Sequence, residues 1–287
     1  MLMRLSRGTK GEMARRRKAS KGDGVATPAP REMLPAERRA RIVAALRDQR
    51  AVRVPALSED LGVSEITIRR DLLLLEREGV LDRTYGGAVI KKQLSAEPRW
   101  DEAVGVRLAE KDAIAAAAAE MIEPGDTVFF GSGTTVVNIL RHVDPELEAR
   151  VVTHSLAVAA DARGLKLEVL FLGGLYRPQL DAVEGTWPLD MIGQVYADKA
   201  FLGADCLDLR AGLTTPSMAV ATIELAMIRR TRGEVVVLTD SSKIGLVGPL
   251  VICPLDQIDV VLVDDGIDPA LVKQIVRAGP QCEVIPA

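Results

Sequence analysis

The run Ser64-Glu65-Ile66-Thr67-Ile68-Arg69-Arg70-Asp71-Leu72 constrains this chain more than any other stretch. Ser64 suits a helix N-cap, because its hydroxyl can accept from an otherwise orphaned N–H of the first turn. From there Ile68, Leu72 and Leu75 recur at steps of four and three, giving one apolar stripe. Glu65, Thr67, Arg69 and Arg70 fall off that stripe. A helix that buries one side and presents Thr and paired Arg on the other fits a major groove, where Arg reaches guanine acceptors or phosphates. Taken alone the pattern also suits an ordinary amphipathic surface helix, so the neighbouring segments decide between the two.

Ahead of it, Ala36 to Asp48 carries Ile42, Val43 and Leu46 among arginines, behind Pro35, a favoured first-turn residue. Val54 to Val63 reads as a second short helix ended by Gly62, placed where a tight helix–helix turn needs positive φ. The third helix runs from Ser64 to about Glu78 and stops at Gly79. Two β-prone runs, Val80 to Tyr85 and Ala88 to Ile90, flank Gly86-Gly87 and predict a hairpin. Three helices and a hairpin make a winged helix-turn-helix over residues 34–92, with Ser64, Glu65, Thr67, Arg69 and Arg70 facing DNA and Arg83, Gly86 and Gly87 forming a wing near the backbone.

Charge divides the chain in the same way. Residues 1–99 hold 22 Lys and Arg against 13 Asp and Glu, whereas residues 100–287 hold 15 against 27. A basic module on an acidic body is the pattern of a phosphate-binding head on a separate sensor. Residues 1–33 include Arg15-Arg16-Arg17-Lys18 with little apolar periodicity and are expected to be a disordered basic arm. Cys206, Cys253 and Cys282 form no CxxC pair, which argues against a disulfide framework and a structural zinc. Neither a metal nor a cofactor is expected. With no apolar run long enough to span a bilayer and no apolar segment behind the basic start, the expected location is cytoplasmic, away from membranes.

After a linker over 93–110, short apolar strands alternate with helices through residues 111–287. Lys111 to Ile122, Ser155 to Ala162 and Ala219 to Thr231 read as helices, while Thr127 to Phe130, Val151 to Thr153, Leu167 to Leu172, Ala200 to Gly203, Glu234 to Leu238 and Val260 to Val263 read as strands. The fold class is therefore α/β, a mostly parallel sheet covered on both faces, which binds ligands at the carboxyl ends of its strands. Gly131-Ser132-Gly133-Thr134-Thr135 lies between a strand and a helix, where free N–H groups and hydroxyls can cradle a phosphate. Gly173-Gly174 with Arg177 offers close approach and a cation, and Lys199 and Lys243 offer point charges. Asp205 can hold sugar hydroxyls. An anion cradle, cations and a carboxylate at strand ends favour a phosphorylated polyol. His142 and His154 sit in no ligand or catalytic spacing and are read as structural or surface residues, and Trp187 and Tyr196 as packing or interface residues.

The ordered set Ser64–Leu72, Tyr85-Gly86-Gly87-Ala88, Ser132-Gly133-Thr134-Thr135, Gly173-Gly174, Ala197 to Asp205, Gly212-Leu213-Thr214-Thr215-Pro216 and Asp240-Ser241-Ser242-Lys243 resembles the DeoR family of bacterial sugar-metabolism transcription regulators over about residues 35–265. The resemblance implies a winged helix followed by a sensor similar in fold to ribose-5-phosphate isomerase and the CoA transferases, a sugar-phosphate effector, and repression relieved when it binds. Four positions depart from the family pattern: Gly131 replaces an Asp, His154 an Asn, Cys206 a Gly, and Glu224 a frequent Lys.

The expected function is thus a non-enzymatic regulator of carbohydrate genes that binds double-stranded operator DNA and self-associates to match paired half-sites. Two alternatives come from other classes. One is a sugar-phosphate isomerase carrying a DNA-binding head, with Asp205 as its candidate base. The other is a constitutive architectural DNA binder whose acidic domain only oligomerises.

Overall fold

The computed structural model of the protein describes residues 33–49, 51–77, 80–90 and 99–287. The arm expected over residues 1–33, apart from its last residue, and the first part of the expected linker lie outside the described residues. Helix α1 (Pro35–Gln49) is followed by strand β1 (Ala51–Arg53), then α2 (Val54–Leu61) and α3 (Glu65–Arg77), and the wing strands β2 (Leu81–Thr84) and β3 (Gly87–Ile90). Ile42, Leu46, Leu57, Ile68, Leu72, Leu75 and Leu81 form one core, so the stripe on α3 is its buried face. Ser64 caps α3: its Oγ accepts from the Thr67 N–H at 3.3 Å. Gly62 closes α2 at φ +64°, the left-handed conformation that lets the chain reverse into α3.

The sequence pattern gives a two-stranded wing, and the structure adds a third strand. β1 pairs antiparallel with β3, giving the order β1-β3-β2. Only a glycine can stand at position 87, where a Cβ would sit 2.1 Å from the Val52 carbonyl oxygen. A buried ion pair ties the head together: the Arg38 guanidinium on α1 donates to the Asp71 carboxylate on α3, with both residues at most 9% exposed. Asp71 therefore belongs to the core side of α3.

In the larger domain α4 (Trp100–Ala103) and α5 (Leu108–Glu120) precede β4 (Thr127–Phe130), α6 (Thr134–Asn138), β5 (Arg150–Thr153), α7 (Leu156–Asp161) and β6 (Glu168–Phe171). A ribbon of β7 (Leu175–Arg177) and β8 (Ala182–Glu184) leads to α8 (Thr186–Ile192) and β9 (Ala197–Gly203). Next come β10 (Cys206–Asp208), β11 (Gly212–Thr215), α9 (Met218–Arg230), β12 (Thr231–Thr239), β13 (Leu250–Cys253), β14 (Val260–Asp264), α10 (Pro269–Ala278) and β15 (Gln281–Ile285). Seven strands form one parallel sheet in the order β15-β14-β12-β9-β4-β5-β6. Its side chains alternate between two cores: Phe129, Leu202 and Val237 enter one, Phe130, Phe201 and Val236 the other. Both faces are covered, as continuous apolar strands require.

Beside this sheet, β10, β11 and β13 form a small antiparallel sheet that the sequence reading did not separate out. The other difference concerns the expected linker. Trp100 donates its N–H to the Gln179 carbonyl at 2.8 Å, and α5 begins at Leu108 instead of Lys111, so residues 100–110 pack on the larger domain. The two domains also touch through Arg210, in the β10–β11 turn, whose guanidinium donates to the Glu76 carbonyl of α3 at 2.6 Å.

Candidate functional site

Three neighbouring strands, β4, β9 and β12, end at one pocket. The loop after β4 brings Ser132, Gly133, Thr134 and Thr135; the turn after β9 brings Asp205; the turn after β12 brings Asp240 and Lys243. Gly133 takes φ +126° at the entry to α6, a backbone turn that exposes the loop hydroxyls to the cavity. The far wall comes from α9 through Ser217 and Glu224. Asp205 is oriented by Thr215, whose hydroxyl donates to its Oδ2 at 2.7 Å. This carboxylate is therefore a placed acceptor, suited to holding ligand hydroxyls.

Among the lining residues, Trp100 and Lys111 escaped sequence reasoning, and Glu224, noted there as a departure from the family pattern, stands in the wall. Lys111, on α5, is buried, and burial pulls its ammonium below the usual lysine range. Its Nζ donates to the Ala103 carbonyl at 2.6 Å, and Ala103 with Trp100 lies at the pocket's edge. Arg107 braces the same segment. It adopts φ +53°, a left-handed conformation unusual for a side chain of this size, and reaches Glu110 at 3.0 Å, Asp240 at 3.5 Å and Asp264 at 3.8 Å. The pocket thus carries two lysines, a set of hydroxyls and the acids Asp205, Glu224 and Asp240, with Trp100 and Ala103 of α4 also in its lining.

Of the ten effector residues expected from sequence, Ser132, Gly133, Thr134, Thr135, Asp205 and Lys243 converge here. Gly173, Gly174, Arg177 and Lys199 are not among the lining residues. Gly174 is packed on the chain instead, since a Cβ there would stand 2.6 Å from the Glu184 carbonyl oxygen. Arg177, on the β7–β8 ribbon, pairs with Glu184 at 3.5 Å. Lys199 lies near the amino end of β9, in register with Val128 and Glu234, and its Nζ pairs with Asp126 at 2.8 Å. The pocket is at the other end of that strand.

Two of the four departures from the family pattern meet beside this pocket. A Cβ on Gly131 would stand 3.0 Å from Glu224 Oε1, so the small residue makes room for the acid. Cys206 is fully buried on β10. His154 is also buried, and neither ring nitrogen has a hydrogen-bond partner among the described residues; burial pushes its imidazole down to about 4.

On the head, Ser64, Arg69 and Arg70 are exposed at the start of α3 and Glu65 and Thr67 partly so. Arg69 is paired with Glu65 at 2.9 Å, while Arg70 makes no ion pair among the described residues. Ile66, left out of the sequence reading, is 80% exposed on the same turn, an apolar group of the kind that meets a thymine methyl. At the wing, Arg83 and Gly86 are exposed and Tyr85 at the tip is fully so. Gly87 is buried beneath β1, whose Val52 carbonyl leaves no room for a side chain there. No helix among the described residues is long and apolar enough to cross a membrane.

Comparison with known proteins follows the same division. Residues 38–94 match the family model of a DeoR-like helix-turn-helix domain, and residues 106–265 that of the DeoR C terminal sensor domain. The chain is 34% identical to the HTH-type transcriptional regulator GlpR of Haloferax volcanii over 86% of its own length and 96% of that protein. It is 33% identical to the transcriptional repressor AccR of Agrobacterium fabrum, over 80% and 90% of the two chains. Among solved structures, ribose 5-phosphate isomerase A from Methanocaldococcus jannaschii matches 47% of this chain and 53% of its own, at 21% identity and a TM-score of 0.35.

Proposed function

The chain belongs to the DeoR family of transcription regulators, and on that footing we propose that it represses carbohydrate genes by holding operator DNA and releases it when a phosphorylated sugar fills the pocket at the ends of β4, β9 and β12. The observation that carries this reading is the convergence of Ser132 to Thr135, Lys111, Lys243 and Asp205 on one space. Hydroxyls, loop N–H groups and two ammonium groups suit a phosphate. Asp205, fixed by Thr215, suits the sugar hydroxyls.

DNA binding falls to the exposed start of α3. Ser64, Thr67, Arg69, Arg70 and Ile66 enter the major groove, with Arg83, Tyr85 and Gly86 beside the backbone. Phosphate contacts supply a salt-dependent hold and base contacts the specificity. The working species is a symmetric assembly of at least two copies, since paired heads read paired half-sites. It acts in the cytoplasm, without turnover of its ligand.

Release follows from linkage: an effector shifts the protein only by binding one arrangement better than another. Lys111 supplies the difference. In the present arrangement its ammonium is drawn toward the Ala103 carbonyl, to which it donates at 2.6 Å. A phosphate competes for that ammonium and loosens the Trp100–Ala103 segment, which follows the head along the chain. A second connection runs through Thr215 and Asp205 into the β10–β11 turn, where Arg210 meets Glu76 of α3.

The test is a binding titration on the DNA upstream of the protein's own gene. The wild-type protein is expected to shift it, to lose it with rising salt, and to release it with a sugar phosphate but not with the free sugar. Lys243→Ala is expected to bind DNA as wild type does and to resist release. Loss of basal DNA binding in that variant, or equal release by unphosphorylated sugar, counts against the reading.

A further inference from the structure

Glu224 is an acid placed where acids are costly. It is 1% exposed in the wall of the pocket, its Oε2 has no hydrogen-bond partner, and no ion pair reaches it among the described residues. The other charge that acts on it, Asp205, has the same sign, so burial first and Asp205 second raise its carboxyl well above the usual carboxylate range. Cys253, behind it on β13, offers no counter-charge: burial and the same acid push its thiol up to about 12. Lys111, Lys243 and Asp240 line the pocket as well, and none of them pairs with Glu224. The space for the carboxyl is built in, because any side chain at Gly131 would press on Glu224 Oε1 at 3.0 Å and on Leu202 at 3.2 Å. An apolar residue would fill that space without the desolvation cost of an orphaned oxygen, so the acid calls for a partner that arrives from outside.

We propose that the effector carries an ammonium group as well as its phosphate, and that Glu224, assisted by Asp205, receives it; the ligand class is a phosphorylated amino sugar. This rests on the phosphate reading of the same pocket and adds to it the opposite pole. A ligand hydroxyl would satisfy one oxygen of Glu224 but bring no positive charge to it. An ammonium satisfies both, because it brings three donors and a positive charge. Binding then draws the proton off Glu224, and that proton appears in solution. The ionisable neighbours facing this event are Asp205 from the β9–β10 turn, Cys253 from β13, Lys111 from α5, and Asp240 and Lys243 from the turn after β12.

The experiment is calorimetric titration of the full-length protein with the 6-phosphates of glucose, galactose and mannose, each beside its 2-amino twin. Comparing twins cancels the contribution of the phosphate and its own ionisation, and needs no mutation. At least one amino twin is expected to bind about tenfold or more tightly than its hydroxyl counterpart, with proton release seen on changing buffer. Glu224→Gln is expected to remove most of that preference, bringing the affinities of the two twins together. Twins that bind alike, or a preference that survives Glu224→Gln, overturn the amino assignment and leave the phosphate reading standing. Binding of neither twin in any pair overturns both.

Discussion

Lys111 lines the pocket at the ends of β4, β9 and β12 and at the same time holds the Ala103 carbonyl at 2.6 Å, eight residues back along the chain. One ammonium therefore serves both the cavity and the segment that leads to the DNA-binding head. Lys243 lines the same cavity from the turn after β12, with no contact to that segment among its hydrogen bonds and ion pairs. The two lysines should thus differ in what their removal does, although each is a cation for the same phosphate.

Lys111→Met keeps the apolar stem and deletes the ammonium. It is expected to weaken effector-driven release by roughly tenfold or more, the scale of one lost charge-assisted contact. It is also expected to raise amide exchange in residues 100–107 without any ligand. Lys243→Ala should give the first effect and not the second. Equal exchange in the two variants would remove Lys111 from the coupling path.

On the head, Arg70 and Ile66 should act through different physics. Arg70 is exposed and free of ion pairs among the described residues, so Arg70→Ala is expected to cost about 1–3 kcal/mol of operator binding and to relax base preference at one position. Ile66→Ala removes only apolar contact; it should lower operator affinity by about 1 kcal/mol while the salt dependence stays as in wild type. Titrations on operator and on random DNA at several salt concentrations separate the two. A changed salt slope in Ile66→Ala would mean that the helix had moved.

The Arg38–Asp71 pair predicts a stability effect that mimics loss of DNA binding. Both groups are buried, so Asp71→Ala leaves an uncompensated guanidinium and should cost about 3–5 kcal/mol. In a head with a core this small, that is enough to unfold it. The double variant Arg38→Met with Asp71→Leu should recover most of the loss, because no charge is left buried. Amide exchange in α3 of the full chain reads both outcomes. A double variant as unstable as the single one would locate the cost in packing and not in charge.

These residues also show what can be read from the chain before its fold is known. The α3 stripe and its Ser64 cap were legible because a helix repeats within itself, and Ile68, Leu72 and Leu75 need no distant partner to declare a face. The parallel strands were legible as short apolar runs for the same reason. β1 was not, since three residues with one buried side chain carry no period. Lys199 was assigned to the pocket because its strand was taken to start at Ala200. The strand starts at Ala197, which puts Lys199 inside it and close to Asp126 at the far edge of the sheet. Lys111 and Trp100 are not legible in the sequence because the pocket collects them from α4 and α5, and no local spacing announces that meeting. The contact of Gly131 with Glu224 is of the same kind: two departures noted separately in sequence are one packing event in space.

His154 gives a prediction whose sign depends on pH. Its ring is buried without a hydrogen-bond partner among the described residues, and burial lowers its imidazole from 6.5 to about 4. Between those values the unfolded chain binds a proton there and the folded chain does not, so stability rises with pH. The contribution is complete above pH 6.5 and is lost as pH falls toward 4, an interval worth about 3 kcal/mol. Glu224 acts in the opposite sense, because its carboxyl is protonated in the fold and ionised in the unfolded chain above the usual carboxylate range. The raw pH profile of the wild type therefore blends two slopes, and the informative quantity is the difference between wild type and His154→Leu. Urea unfolding at pH 7 and pH 4.5 should show the wild type losing about 2–3 kcal/mol relative to that variant. A difference that stays flat would mean that the imidazole gains a proton-accepting partner in solution.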